Sequence, residues 1–83
     1  MKLTAALVTG PDHRYVVVLV KDHVLHHPTL RSELIGFARQ EFRAPAALMS
    51  VRTHQTYGPR SLNDRLGRVG FDELPWREYT FAQ

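Results

Sequence analysis

Six residues from Tyr15 to Val20 are apolar without interruption, and four of them are valine. The branched side chain of valine is stiff and suits a pleated strand. The missing alternation predicts a central strand covered on both faces, either by this chain alone or by its helix on one side and a partner chain on the other. Residues 3–8 are also apolar and partly β-branched, and predict a first strand. Between the two lies Thr9-Gly10-Pro11-Asp12-His13, which is turn chemistry, so the strands are expected to pair as a hairpin.

The period then changes. Leu30, Leu34, Phe37, Ala38 and Phe42 fall on one face of a helix, with Arg31, Glu33, Arg39, Gln40, Glu41 and Arg43 over much of the remainder. Pro28 suits the first helical turn, with His27 or Thr29 near the cap, and Pro45 forbids continuation. Gly36 interrupts this helix at a cost of about 1 kcal/mol against alanine, and its bare backbone would let the helix approach the sheet closely. Lys21 to His27 reads as a strand end or a connection. Ala46 to Thr53 alternates as a third strand, with Ala47, Met49 and Val51 on one face and Leu48, Ser50 and Arg52 on the other.

Gly58-Pro59 breaks the loop that follows. Ser61 with Asp64 gives a partial helix-start box for a short helix whose stripe is Leu62, Leu66 and Val69, with Gly70 as its stop and Gly67 weakening it. Trp76 to Phe81 predicts a last strand, with Trp76, Glu78 and Thr80 on one face and Arg77, Tyr79 and Phe81 on the other. The expected fold class is α+β: a small antiparallel sheet of about four strands, in the order ββαβ-short α-β, packed on one main helix, with residues 1–83 as a single domain. One helix cannot cover both faces of such a sheet, so a homodimer is expected to close the second face.

Composition narrows the class. The 83 residues are 43% hydrophobic and 23% charged, which is globular rather than disordered. Cysteine is absent, which removes disulfides and cysteine zinc sites and favours a reducing, cytoplasmic setting. No apolar run approaches the ~18–20 residues of a membrane helix. Met1 to Val8 is too short for a signal-peptide core before Gly10-Pro11 ends it, so a soluble protein with no membrane partner is expected.

Charge adds a location. The chain carries +3, and residues 52–71 hold Arg52, Arg60, Arg65 and Arg68 against Asp64, so they account for the whole excess. Arginine offers a planar donor fork that fits phosphate oxygens and stacks on bases. His54 and Tyr57 lie in the same stretch and can stack or donate. The leading expectation is a non-catalytic module that contacts RNA or DNA through residues 52–68, using Arg52, His54, Tyr57, Arg60, Arg65 and Arg68. The plain alternative is a solvated surface whose arginines pair with Glu33, Glu41, Asp72 or Glu73. If Arg65 and Arg68 share one helix, they share a face.

A second expectation uses Trp76, Tyr79 and Phe81, aromatic residues of the kind found at binding hot spots, as a protein–protein or regulatory interface. A third draws on the histidines: His23, His26 and His27 cluster within five residues, and the candidates for acid and base are His23 or His27 with His54. With Arg52 these supply the acid, base and cation types of a small ribonuclease. No catalytic residue is singled out, because nothing in the spacing fixes a geometry, and the His-Glu-X-X-His metal motif is absent. No metal or cofactor is therefore expected.

Overall fold

A computed structural model describes residues 1–82. The strands are β1 (Lys2–Thr9), β2 (Arg14–Val20), β3 (Ala46–Ser50), β4 (Thr56–Tyr57) and β5 (Trp76–Thr80). The α-helices are α1 (Asp22–Leu25), α2 (Pro28–Phe42) and α3 (Arg60–Leu66), and a single 3-10 turn spans Phe71–Glu73. The fold is α+β, but the sheet has five strands in the order β4-β3-β2-β1-β5. It is also mixed: β2 and β3 are parallel, and the β1–β2, β1–β5 and β3–β4 pairs are antiparallel. This corrects the expected four-strand antiparallel arrangement. The physical reason is the connection. A strand followed by a full helix and another strand has the length of chain needed to return and pair in the same direction.

The hairpin forms as expected, with Thr9 opposite Arg14 across the 10–13 turn. At that turn the Asp12 carboxyl is held below its ordinary range, first by a hydrogen bond from His13, then by a backbone hydrogen bond. Pro28 does open α2, and His27 is its cap, with Nδ1 accepting from the Leu30 N–H at 3.2 Å. The helix ends where Arg43 turns left-handed, at φ 52°. Arg14 on β2 donates to the Phe42 carbonyl of that last turn at 3.0 Å.

Both faces of β2 are covered within the chain. Val16 and Val18 join Ala5, Leu25, Ala38, Phe42 and Leu48 in one core under α1 and α2. Val17 joins Ala6, Tyr15, Ala47, Met49, Leu62, Leu66 and Leu74 in a second core under α3 and the 3-10 turn. Three central valines and Leu48 have no exposure. Each such side chain stabilises the fold by about 1.5–3 kcal/mol relative to leaving it in water. The second face was assigned to a partner on the ground that one helix cannot cover it, and that ground is removed.

Three boundaries differ from the sequence reading. The third strand stops at Ser50, because Ser50 opens a tight turn rather than continuing to Thr53. The short helix begins at Arg60 with Pro59 in the cap position and no side-chain cap, so the Ser61–Asp64 box does not form. It ends at Leu66 with Gly67 as its C-cap, so Gly67 rather than Gly70 is the stop and Arg68 lies outside the helix. Gly58 has a clear structural duty. A Cβ there would meet the Ala47 Cβ at 2.8 Å and its Cα at 3.0 Å, so only glycine lets the β4–α3 link press against β3.

Candidate nucleic-acid interface

The six residues expected to form a site are distributed over three places. Arg52 and His54 sit on the turn between β3 and β4. That turn is built on Ser50, whose buried hydroxyl donates to the Asp22 carboxylate and accepts the Arg52 and Thr53 N–H groups at 3.3 Å each. The His54 N–H closes back onto the Ser50 carbonyl at 3.0 Å, and the Ser50 N–H donates to Gln55 at 2.8 Å. His54 itself is left-handed, at φ 60°. Its ring stacks flat on Phe71, centroids 4.1 Å apart and 2° from parallel, and Phe71 leans in turn on Trp76. His54 is thus anchored to the 3-10 turn.

Arg65 and Arg68 lie elsewhere. The Arg65 guanidinium stands 5.8 Å from the centre of the Tyr15 ring, on the α3 side of the sheet. Arg65 also lies close enough to Asp12 to be the smallest of the influences that lower its carboxyl. Arg68 is exposed beyond the end of α3.

Tyr57 and Arg60 mark the third place. Tyr57 pairs across the ladder with Leu48, which belongs to the α2 core, so its ring turns to the α2 side. There Arg31 of α2 lies over the ring, 4.2 Å from its centre. Arg31 is itself pinned by a bond from its guanidinium to the Leu25 carbonyl at 2.9 Å. In front of the ring runs an open groove between α2 and the β4–α3 link. Its larger basin, about 830 Å³, is bounded by Ile35, Gly36, Arg39 and Arg43 on one side and by Pro59 and Ser61, which flank Arg60, on the other. A second basin of about 410 Å³ continues past Tyr57 and Ser32 and shares Ile35, Gly36, Arg39 and Pro59 with the first. No carboxylate lines either basin.

Among the described residues, the ion pairs are Lys2 with Glu78 and His13 with Asp12. None of the nine arginines is within ion-pair distance of a carboxylate among the described residues. The pairing of arginines with Glu33, Glu41, Asp72 or Glu73 does not occur. Sequence reasoning missed Arg39 and Arg43, which it placed on a solvated helix face. Their signal was available: Gly36, Arg39, Gln40 and Arg43 recur at separations of three, one and three, which is one stripe of a helix.

The aromatic residues expected at an interface pack inward. Trp76 lies against the α3-side core, and its Nε1–H donates to the Phe71 carbonyl at 2.9 Å. Tyr79 meets Phe42 edge-to-face with ring centres 4.9 Å apart, and Phe81 meets Phe37 the same way at 5.1 Å. Both faces of β5 meet a core, because the sheet is covered on both sides. Of the histidines, His27 caps α2 and His54 is stacked, and among the described residues no three His, Asp or Glu side chains gather as a metal site.

No protein-family model, curated protein or solved structure matches this chain. Among the described residues no helix is long and apolar enough to cross a membrane.

Proposed function

We propose that this chain is a non-catalytic module that binds nucleic acid through guanidinium groups on either side of β4. The observation that carries this reading is the unpaired state of its arginines. Nine of them stand on a small surface with no carboxylate in ion-pair distance among the described residues. Arg14 and Arg31 use part of their forks on the Phe42 and Leu25 carbonyls; a guanidinium without such an internal partner keeps its full donor fork for phosphate oxygens. The arginines around β4 and its groove come from two parts of the sequence: Arg52 and Arg60 flank β4 in the arginine-rich segment, and Arg31, Arg39 and Arg43 come from α2. The carboxylate-free groove lies between α2 and the β4–α3 link, where Tyr57 supplies an aromatic ring.

The test is fluorescence anisotropy of labelled RNA and DNA oligonucleotides, titrated at several salt concentrations between about 50 and 200 mM, where phosphate-driven affinity falls steeply. The logarithm of the binding constant should fall linearly with the logarithm of salt, by about 0.7 per phosphate contact on a single strand and about 0.9 on B-DNA. Replacing Arg39, Arg43 and Arg60 by glutamine should flatten the slope stepwise. A salt response as flat in the wild type as in the triple variant refutes the proposal.

A further inference from the structure

Gly36 is unexplained by the chain that contains it. It sits in the middle of α2, where glycine weakens a helix. A Cβ placed on it would have no other heavy atom within 4 Å, so no packing inside the molecule requires its absence. Its backbone does not require it either, because no glycine among the described residues has a positive φ. The expectation that this glycine brings α2 close to the sheet is therefore corrected: it is exposed and faces away. What it does line is the groove, where both basins share it.

We infer that the groove seats a single-stranded nucleic acid, which passes directly against the bare helix backbone at Gly36. This rests on the nucleic-acid reading above and assigns it a strand type and a track. The chemistry of the walls favours a strand over a duplex. Arg39 and Arg43 present donor forks to phosphates, and in the second basin, which Arg39 also lines, Tyr57 presents a ring. A ring serves as a platform only for a base whose face is free, and in a duplex those faces are already stacked on each other. Arg31 holds the ring in place from α2 while its own guanidinium is tied to the Leu25 carbonyl, so the platform is fixed before the ligand arrives. The absence of any carboxylate from the walls removes repulsion along the whole track.

The experiment is the pair of variants Gly36→Ala and Gly36→Leu, each measured for thermal stability and for affinity to a labelled single-stranded oligonucleotide. Both residues are good helix formers placed in open space, so both variants fold, and Tm should rise by about 4–8 °C. Affinity should nevertheless fall, at least about fivefold for alanine and further for leucine, because the added atoms occupy the ligand's track. Higher stability with weaker binding is the expected pair of results. If the wild type binds and both variants bind equally well, the track is not at Gly36, and the inference fails while the nucleic-acid reading stands. If duplex binds as tightly as single strand, or if polyglutamate displaces the oligonucleotide as well as unlabelled strand does, the assigned ligand is wrong. If the wild type binds no nucleic acid at low salt, both the reading and the inference fall.

Discussion

Ser50 is the polar residue on which the β3–β4 turn depends, and Ser50→Ala isolates its contribution. The side chain has no exposure. Its hydroxyl donates to the half-buried Asp22 carboxylate at the start of α1 and accepts two backbone N–H groups, from Arg52 and Thr53. A hydrogen bond to a charged group contributes about 1.5–3 kcal/mol. The two amide contacts are long, at 3.3 Å each, so together they add roughly 0.5 kcal/mol. The expected loss is about 2–3 kcal/mol. For a domain of this size total stability is about 4–12 kcal/mol, and the loss lowers Tm by about 10–20 °C. Urea unfolding followed by the fluorescence of the single tryptophan, Trp76, measures it. Asp22→Ala and the double variant complete a cycle, with an expected coupling of about 1–2 kcal/mol. A cost for Ser50→Ala below about 0.5 kcal/mol, or singles that simply add, would refute the argument that this bond joins α1 to the turn.

Two further outcomes follow from particular residues. Arg43 ends α2 in the left-handed region, where glycine is free of the roughly 1 kcal/mol that other residues meet. Arg43→Gly should therefore raise Tm in a thermal melt while weakening any nucleic-acid affinity, and a lower Tm would contradict the cap argument. Trp76→Ala removes a half-buried ring from the α3-side core together with its bond to the Phe71 carbonyl, so it should destabilise the fold by about 2–4 kcal/mol in a circular-dichroism melt. An unchanged Tm would return Trp76 to the role of a surface contact.

The sequence was most readable where one physical demand governed a whole segment. Tyr15 to Val20 is unbroken because β2 lies at the centre of the sheet between β1 and β3 with a core on each face. The α2 stripe was legible because Leu34, Ala38 and Phe42 all answer to one core. The second cover was hidden because its members, Leu62, Leu66, Leu74 and Trp76, are spread over a short helix, a 3-10 turn and a strand. No single periodicity unites them. The same dispersal conceals the groove, whose walls lie more than ten residues apart in sequence, whereas the parallel β2–β3 pair is implicit in the strand–helix–strand order. Ser50 also gave no signal, because serine in a strand pattern looks like any outward polar residue until Asp22 is beside it.

The position of β5 bears on how the sheet is completed. β1 is paired on one side by its immediate neighbour in the chain and on the other by the final strand, with Lys2 opposite Thr80. A hairpin closes in about 1–10 μs, whereas a contact between the two ends of the chain must first meet the entropy of closing almost the entire loop. Until that contact forms, the outer edge of β1 is an open ladder, and the side of the sheet covered by α3, Leu74 and Trp76 lacks the Trp76 part of its cover. The β5 of another copy fits that edge as well as the chain's own. At high concentration the two compete during refolding, so exchange of this one strand is the route by which chains with fully covered sheets would become entangled in pairs.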